Sequence, residues 1–313
     1  MAKEKIVILG AGHVGSHCAN ALASAGVGTE IVLVDIVPGK AHAQALDISD
    51  TISFLPHAAT VRAGDYADCA DAALVVVAIG EPRQPGQTRL DLLDRSVVLL
   101  DALVAQLAPY PIACPIVTIT NPADVVADYL RKALQKERWQ LFSTGTLLDT
   151  ARLIRIISTA TGVDRRSISA FALGEHGDSS TAAFSAITVG GIPFSQWHLD
   201  KAALTEQTRQ AGMTIINGKG STEFGIGQAL TAMARCILND EKRILPASVL
   251  LQGEYGQQDV TCGVPCRIGK NGIEAVIELP LAPDEQEALQ ASCNIIRKHI
   301  ARAAAVHAQT ARE

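Results

Sequence analysis

The sequence predicts an α/β fold in which a doubly wound parallel sheet is followed by an α+β region with antiparallel strands. In the first half, short apolar runs alternate with helical stretches, and each run ends at a glycine or a polar residue. In the second half, two longer apolar runs flank the dipeptide Asn271-Gly272. This arrangement is a strong signal for a type I′ β-hairpin, which joins antiparallel strands.

The composition indicates a globular protein of two domains, which we expect to span residues 1–144 and 145–313. The chain has 313 residues, of which 48% are hydrophobic, so it can bury a sizeable core. The net charge is −5 and no block of like charge is present. This balance argues against nucleic acid or an anionic membrane as a partner.

Cysteine usage and the N-terminus favour a soluble, cytoplasmic protein. Seven cysteines are scattered without a C-x-x-C pair, and free thiols in a large chain are typical of a reducing cytosol. Cys262 and Cys266 have no second ligand pair nearby, so we interpret them as packed strand residues and predict no metal site. The apolar run that precedes Gly10 has only four residues, too few for the apolar core of a signal peptide. No apolar stretch approaches the roughly 18 residues that cross a bilayer.

A glycine-rich loop follows the first apolar run. Ile6–Leu9 has the β-branched, apolar character of a central parallel strand and leads into Gly10-Ala11-Gly12-His13-Val14-Gly15. A helical stretch and a second apolar run follow, and that run ends in Asp35. In this order the glycines allow a tight turn, a close approach to a pyrophosphate and close packing of helix on strand. The acid can bind an adenosine ribose.

We therefore predict a Rossmann-type domain that binds NAD. The predicted cofactor-binding residues are Gly10, Gly12, His13, Val14, Gly15, Asp35, Gly80 and Asn121. The last two end further apolar runs, and ligands of open α/β sheets bind beyond the carboxyl ends of the strands. The carboxylate of Asp35 would repel a 2′-phosphate, which favours NAD over NADP. The alternative is a structural glycine turn in an unrelated α/β protein, and no catalytic role is expected for His13.

A loop with two arginines lies next to this predicted crevice. The segment from Glu81 to Asp91 contains two prolines and a glycine, which indicate a loop, and Thr88 begins an amphipathic helix. Arg83 and Arg89 suggest a lid that closes over an anionic substrate. The alternative is a solvated surface loop.

Two stretches of the second half carry side chains suited to acid–base chemistry. Asp149 and Arg152 are three residues apart in a predicted helix and share a face with apolar neighbours, although a surface ion pair is the alternative. If they are buried they need partners. His176 lies in Gly174-Glu175-His176-Gly177-Asp178, after the run Ile168–Leu173 that we interpret as a strand. A histidine at such a junction can transfer a proton near pH 7, although a lone loop histidine is more often solvated or structural.

Five motifs in this order resemble the lactate/malate dehydrogenase family over nearly the whole chain. They are the glycine loop, Pro85–Leu92, Thr120–Pro122, Leu148–Arg152 and Gly174–Asp178. Arg243–Pro246 and Gly253–Gly256 are most similar to the lactate branch. The resemblance implies reversible hydride transfer between NADH and a small 2-oxo acid, and a homotetramer.

The resemblance also implies a role for each site residue. His176 would exchange a proton with the C2 oxygen of the substrate, and Asp149 would hold the other ring nitrogen. Arg152 would bind the C1 carboxylate with two hydrogen bonds from its planar guanidinium, an arrangement that a lysine cannot form. Arg89 would ride on the lid and polarise the carbonyl group, and Asn121 would bond the substrate oxygen.

The residues at two positions that set substrate specificity favour different substrates. Arg83 lies six residues before Arg89. At the position of Arg83, lactate enzymes resemble one another in having an uncharged residue, whereas malate enzymes have an arginine. An enclosed arginine needs an anion, which oxaloacetate supplies with its second carboxylate and pyruvate does not. Thr222 matches the lactate branch at the other specificity position. We expect a lactate-dehydrogenase-like chain whose lid predicts use of oxaloacetate and malate, with a strict pyruvate/L-lactate enzyme as the alternative.

The sequence leaves two other classes of protein as alternatives. An NAD-dependent glycosidase shares the glycine loop, but it needs a metal held by cysteine and histidine and lacks the Gly-Glu-His-Gly-Asp stretch. A non-catalytic NAD-binding protein of this fold would leave the absorbance of NADH unchanged with every 2-oxo acid.

Overall fold

The computed structural model describes residues 4–80 and 89–310, with side chains from residue 93 onward in the second range. The predicted lid with Arg83, and Thr88 as the predicted first helical residue, therefore lie outside the described residues. The same holds for the side chain of Arg89.

Six parallel strands form the first part of the main sheet. They are β1 (Lys5–Leu9), β2 (Glu30–Val34), β3 (Thr60–Ala63), β4 (Leu74–Val77), β5 (Ile116–Thr118) and β6 (Leu141–Ser143). Their spatial order is β3-β2-β1-β4-β5-β6, and every neighbouring pair is parallel. The direction of winding reverses between β1 and β4. Ligands of such sheets bind beyond the carboxyl ends of the strands at this reversal.

Helices cover both faces of these strands. They are α1 (His13–Ser24), α2 (Pro38–Ile52), α3 (Arg89–Leu107) and α4 (Ala123–Ala133). Successive residues of a strand point to opposite faces. Ile6 of β1 packs in one apolar core with Leu22 of α1, whereas Val7 packs in another with Leu100 of α3 and Val126 of α4. This confirms the doubly wound parallel sheet.

The second half of the chain adds short strands, three longer antiparallel strands and four α-helices within the described residues. In chain order they are α5 (Leu147–Thr161), β7 (Ile168–Ser169), β8 (Ala172–Leu173), β9 (Thr181–Ala182), β10 (Thr188–Val189), β11 (Ile192–Pro193), α6 (Lys201–Lys219), α7 (Phe224–Leu238), β12 (Arg243–Gln252), β13 (Gln258–Gly269), β14 (Gly272–Val276) and α8 (Pro283–Thr310).

The long antiparallel strands continue the parallel sheet. Ser248 of β12 pairs with Ser143 of β6, and β13 and β14 follow, so that the sheet has nine strands. The predicted α+β character of the second half is confirmed. The sheet runs across the predicted boundary after residue 144, so the division into two domains stays a prediction.

The apolar run Ile168–Leu173 is not one strand, which corrects the sequence-based interpretation. β7 pairs with β10, whereas β8 pairs with β9 in a different sheet. Ile168 packs in a core with Leu153 of α5, and Leu173 packs in the core of the main sheet. The run is apolar because two separate cores bury it.

Two further local predictions are wrong in detail. The hairpin between β13 and β14 exists, but only Gly272 has a positive φ (96°), whereas a type I′ turn needs a positive φ at both loop residues, here Lys270 and Asn271. The segment 219–226, whose sequence we interpret as helical, is not one helix. α6 ends at Lys219, because the following Gly220 has a φ of 91° that stops the helix, and α7 begins at Phe224.

Cys262 and Cys266 are strand residues without exposed surface, as predicted. Within the described residues, no three His, Cys, Asp or Glu side chains are arranged to hold a metal ion. The described helices include none with both the length and the apolar character needed to span a bilayer.

Candidate active site

At two positions, the loop between β1 and α1 has space for glycine only. Gly10 has a φ of 105°, and a Cβ there would lie 2.5 Å from the carbonyl oxygen of Ala78. A Cβ on Gly15 would lie 1.9 Å from the carbonyl oxygen of Gly10. Gly12 differs, because the atom nearest to an added Cβ is Lys40 Nζ at 3.8 Å. The loop is therefore open at Gly12, which allows its backbone to approach a phosphate.

The N-terminus of α1 lies beside this open side. The first N–H groups of a helix have no partner within the helix, and the helix dipole favours an anion there. His13, Val14 and Gly15 supply these N–H groups. The position fits the pyrophosphate of a dinucleotide. The exposed ring of His13 contacts His17 edge-on, with 5.5 Å between ring centroids, so the residue serves the loop through its backbone.

The carboxylate of Asp35 is fixed at the rim of the glycine loop. One oxygen accepts a hydrogen bond from the N–H of Ala11 at 2.9 Å, and the other accepts one from the N–H of Val37 at 3.0 Å. Lys40 Nζ lies 3.8 Å from the carboxylate. The glycine loop and Asp35 together form a cofactor cradle, with donors for a pyrophosphate and an acceptor for ribose hydroxyls, and this fits NAD.

Gly80 and Asn121 lie after β4 and β5, at the same edge of the sheet. No described atom lies within 4 Å of a Cβ added to Gly80. Asn121 is exposed, and its carbonyl oxygen accepts a hydrogen bond from Ser96 Oγ at 3.5 Å. Thr120 Oγ1 donates to the carbonyl oxygen of Ile79 at 2.7 Å, which ties the two strand ends together.

His176, Asp149 and Arg152 form a chain of hydrogen bonds, which we call the catalytic chain. Asp149 lies in the first turn of α5 and Arg152 follows one turn later, where its Nη1 donates to Asp149 Oδ1 at 2.9 Å. Asp149 Oδ2 lies 2.6 Å from His176 Nδ1. Because a carboxylate only accepts hydrogen bonds, Nδ1 carries the proton and donates it. Nε2 is then the nitrogen that can exchange a proton with a substrate.

Burial and charge set the protonation states of this chain. Asp149 is 5% exposed. Burial alone would raise its pKa, but the charges of His176 and Arg152, and hydrogen bonds from them, lower it below the ordinary value. The charge of Asp149 raises the pKa of His176 above the ordinary value, against the effect of burial. The ionised carboxylate therefore favours a protonated ring, which is the form that donates a proton to a carbonyl oxygen.

The guanidinium of Arg152 has a glycine opposite it on α6. A Cβ on Gly212 would lie 3.4 Å from both Nη1 and Nη2, so the glycine leaves the fork unobstructed. Arginine has five N–H donors, more than Asp149 accepts here, and its fork matches the two oxygens of a carboxylate. Arg152 is therefore suited to anchor a substrate carboxylate beside the imidazole.

Two residues that the sequence analysis missed hold the backbone of the His176 loop. The N–H of His176 donates to Asp124 of α4 at 2.9 Å, and the N–H of Glu175 donates to Ser292 Oγ of α8 at 2.9 Å. Gly174 has a φ of 86°, and a Cβ there would lie 2.5 Å from Ser292 Oγ. An acid in an otherwise apolar helical turn was the available signal for the aspartate, whereas nothing local marked the serine.

Of the other predicted substrate-binding residues, the structure describes some and not others. Thr222 is half-buried in the connection between α6 and α7. Arg89 is the first residue of α3, but its side chain, like the whole of Arg83, lies outside the described residues. The contribution of the lid stays a prediction.

Both halves of the chain match sequence models of one family. Residues 4–143 match the NAD-binding domain of lactate/malate dehydrogenases, and residues 146–307 match their α/β C-terminal domain. The L-lactate dehydrogenase of Fusobacterium nucleatum is 39% identical over 306 residues, which cover 95% of this chain and 96% of that protein. The L-lactate dehydrogenase of Treponema denticola is 40% identical over 306 residues, which cover 95% and 97% of the two chains.

Solved structures of lactate dehydrogenases have the same fold. A lactate dehydrogenase from a Medee basin deep-sea metagenome library matches with a TM-score of 0.92 and 35% identity, covering 97% of this chain and 100% of that one. The lactate dehydrogenase of Cryptosporidium parvum, complexed with lactic acid and nicotinamide adenine dinucleotide, matches with a TM-score of 0.92 and 28% identity, covering 97% and 98%. The chain therefore belongs to the lactate/malate dehydrogenase family, and NAD is its cofactor.

Proposed function

We propose that this chain is an NAD-dependent L-2-hydroxy acid dehydrogenase, which transfers a hydride reversibly between NADH and a 2-oxo acid. The observation that carries the proposal is the catalytic chain, in which an imidazole with a proton to exchange lies beside a guanidinium suited to a carboxylate. A 2-oxo acid needs both groups, because its reacting carbonyl lies next to its carboxylate.

His176 acts as the acid in the direction of reduction. NADH supplies the hydride that adds to the C2 carbon of the substrate. Protonated His176 donates its Nε2 proton to the C2 oxygen, and this gives the hydroxyl group of the product. Asp149 keeps the ring oriented and stabilises its charged form. In the reverse direction the neutral ring accepts the hydroxyl proton.

The remaining site residues position the substrate. Arg152 binds the C1 carboxylate with its fork, and Asn121 bonds the C2 oxygen. Arg89 polarises the carbonyl group as negative charge grows on its oxygen, which is where a preformed cation lowers the barrier. These roles follow from the family likeness and from the chemistry of the side chains.

Pyruvate and L-lactate are the substrate pair that the relatives support. The relatives at 39% and 40% identity are L-lactate dehydrogenases. Thr222, at the position that carries threonine in the lactate branch, supports the same pair. The C3 carbon of the substrate would then be a methyl group.

Oxaloacetate and L-malate are the second candidate pair, and Arg83 favours them. A guanidinium that closes over the substrate needs an anion, and the second carboxylate of oxaloacetate provides it. Both pairs are consistent with one reaction, since the chemistry at C1 and C2 is the same.

The experiment that tests the proposal is a comparison of kcat/KM for pyruvate and oxaloacetate, followed through the absorbance of NADH. If neither acid oxidises NADH, the dehydrogenase proposal fails, and metal-dependent cleavage of nitrophenyl glycosides would support the glycosidase instead. If pyruvate alone is reduced, the strict lactate enzyme is the answer.

Arg83→Gln separates the two substrate pairs. We expect it to lower kcat/KM for oxaloacetate relative to pyruvate by about 10-fold or more, since a hydrogen bond to a charged group contributes about 1.5–3 kcal/mol. Arg95→Gln, which makes the same replacement at an exposed position of α3, is the matched control. An unchanged ratio after Arg83→Gln would show that Arg83 does not contact the substrate.

The family likeness also supports a homotetramer, and the free thiols fit the reducing cytoplasm. Light scattering tests the assembly directly. A tetramer has four times the chain mass of 32.9 kDa.

A further inference from the structure

Two thiols that have no part in the mechanism proposed above lie against each other beneath α8. Cys262 Sγ on β13 and Cys293 Sγ on α8 are 3.8 Å apart, the distance of a weak hydrogen bond between thiols. Neither residue has exposed surface. The sulfurs of a disulfide are about 2.05 Å apart, so an approach of about 1.8 Å would join them.

Cys262 is the chain neighbour of a residue that holds the start of the His176 loop. Gly263 follows it on β13 and exchanges two backbone hydrogen bonds with Gly174, at 2.9 and 2.8 Å. A Cβ on Gly263 would lie 3.0 Å from the carbonyl oxygen of Gly174, so the two backbones pack closely. Because close-packed atoms transmit a displacement, a shift of this part of β13 moves the loop.

Cys293 has the same relation to the loop from the other side. Ser292 precedes it on α8 and accepts the hydrogen bond from the N–H of Glu175 at 2.9 Å. A Cβ on Gly174 would lie 2.5 Å from Ser292 Oγ, so α8 and the loop have no space between them. The two thiols therefore belong to the two elements that hold the backbone just before His176.

The two thiols differ in reactivity. A hydrogen bond from the Cys262 thiol lowers the pKa of Cys293 against the effect of burial, and the positive charge of Arg297 on α8 acts in the same direction as the bond. The shared hydrogen bond and burial raise the pKa of Cys262. The thiolate is the form that attacks, so Cys293 is the nucleophile of the pair.

A groove along α8 brings solvent close to Cys293. It lies between residues 255–257 and α8, and Gln290 and Asn294 of α8 line it. The sulfurs themselves are buried, so a reagent reaches them when α8 opens locally, which needs less free energy than unfolding of the whole chain. Hydrogen peroxide is little larger than water and fits a small opening.

We propose that Cys262 and Cys293 are a site of oxidative modification, at which a hydroperoxide converts the two thiols to a disulfide that displaces the His176 loop. Formation of the bond does not depend on the proposed function. Its effect on turnover does, because that effect requires His176 to be the acid/base.

The modification takes two steps. The thiolate of Cys293 attacks one peroxide oxygen, so that an S–O bond forms, the O–O bond breaks, and the leaving hydroxide takes up the thiol proton as water. Cys262 then gives up its proton and attacks the sulfur of this sulfenic acid, so that the S–S bond forms, the S–O bond breaks and a second water leaves. The two thiols together lose two electrons and two protons, and one peroxide becomes two waters.

The decisive measurement is mass spectrometry of the wild type after treatment with hydrogen peroxide, alkylation of the remaining thiols and digestion without a reductant. We expect a linked pair of peptides that contain Cys262 and Cys293, and dithiothreitol should separate them. If this pair is absent, the proposal is wrong. The measurement needs no turnover, so it tests the bond even if the wild type reduces neither pyruvate nor oxaloacetate.

Turnover tests the displacement of the loop. A misplacement of about 1 Å can lower a rate about 10²-fold, so kcat for the better of the two acids should fall about 10-fold or more after peroxide treatment. Dithiothreitol should restore it. A linked pair of peptides with an unchanged kcat would show that the disulfide leaves the loop in place, and that result would contradict the proposal.

Cys293→Ala and Cys114→Ala make the same replacement at a reactive and a control position. Cys293→Ala cannot form the bond, so its kcat should withstand peroxide. Cys114 is the cysteine with some exposed surface, and Cys114→Ala should lose kcat as the wild type does. If Cys114→Ala is the protected variant, the loss comes from the accessible thiol, and the role assigned to the buried pair is wrong.

Dimedone, which labels sulfenic acids, tests the order of the two steps. Cys262→Ala lacks the second thiol, so the sulfenic acid should persist and the label should appear on Cys293. In Cys293→Ala no label should appear on Cys262. A label on Cys262 alone would contradict the assignment of the nucleophile. If either variant does not fold, the linked peptides of the wild type still decide whether the bond forms.

Discussion

The cofactor cradle and the catalytic chain are built in contrasting ways. The cradle uses Gly10–Gly15 and Asp35, which are close in sequence, and its contacts are made largely by backbone N–H and carbonyl groups. The catalytic chain uses the side chains of Asp149, Arg152 and His176, and its supports come from α4 and α8. One site depends on local conformation, whereas the other depends on how distant elements pack.

This difference predicts that the two sites fail independently. A change in the catalytic chain removes a charge or a proton donor but leaves the glycine loop intact, so turnover should fall while cofactor binding is retained. A change in the cradle alters backbone spacing or the ribose acceptor, so cofactor binding should fall while the titration of His176 is retained. The following variants test this contrast.

The largest effect is expected for His176→Asn. The variant has no group that can donate a proton near neutral pH, so kcat for pyruvate reduction should fall about 10²–10⁴-fold. The Kd for NADH, measured by fluorescence titration, should stay within about twofold of the wild type, a difference well below the 1.4 kcal/mol of a tenfold change. His198→Asn is the control, because His198 is exposed and its φ of 50° is tolerated by asparagine. Wild-type kcat in His176→Asn would rule out the imidazole as the acid.

Arg152→Lys should have the next largest effect. Lysine keeps the charge but lacks the planar fork, so we expect kcat/KM for pyruvate to fall about 10- to 100-fold, the equivalent of one charged hydrogen bond of about 1.5–3 kcal/mol. Most of the loss should appear as a higher KM. Arg155→Lys makes the same replacement at an exposed position of α5 and should have no effect. If both variants behave alike, Arg152 does not bind the substrate carboxylate.

The same contrast explains what the sequence revealed and what it did not. The cradle could be predicted in detail because its steric requirements are local: Gly15 must be glycine on account of Gly10, five residues away. The residues of the catalytic chain could be named through the family likeness. The sequence around each residue, however, does not show that Asp149 Oδ2 lies 2.6 Å from His176 Nδ1. The support from Ser292 could not be predicted, since a serine on an amphipathic helix is compatible with many neighbours.

The errors in the fold prediction have the same origin. The run Ile168–Leu173 was interpreted as one strand because continuous apolar character is typical of a buried strand. Its burial comes instead from two cores formed by distant helices and strands. Hydrophobicity shows that a segment is buried, but it does not show which elements bury it.

Two glycines of the cradle separate folding from binding. A Cβ on Gly15 would lie 1.9 Å from a backbone oxygen, so Gly15→Ala should lower the free energy of unfolding by about 1–3 kcal/mol, the usual cost of overpacking. A Cβ on Gly12 meets no protein atom closer than 3.8 Å. Gly12→Ala should therefore keep its stability and still bind NADH about 10-fold more weakly, as for a lost hydrogen bond of about 1.5 kcal/mol to a charged group. Denaturant unfolding and NADH titration measure the two effects, and equal stability losses in both variants would contradict the open side at Gly12.

The smallest effect is expected for Asp35→Asn, because it changes only the choice between two cofactors. The carboxylate accepts one hydrogen bond on each oxygen, from the N–H groups of Ala11 and Val37, so the nearly isosteric amide keeps one of these two bonds while the charge is lost. Without that charge the ribose hydroxyls lose a charged acceptor and a 2′-phosphate is no longer repelled. The ratio of kcat/KM with NADH to that with NADPH should fall about 10-fold, again about 1.5 kcal/mol. Asp47→Asn removes an exposed charge from α2 and controls for the change in net charge. If that control shifts the ratio as much as Asp35→Asn does, the preference reflects the overall charge of the cradle's surroundings, and the ribose contact assigned to Asp35 is wrong.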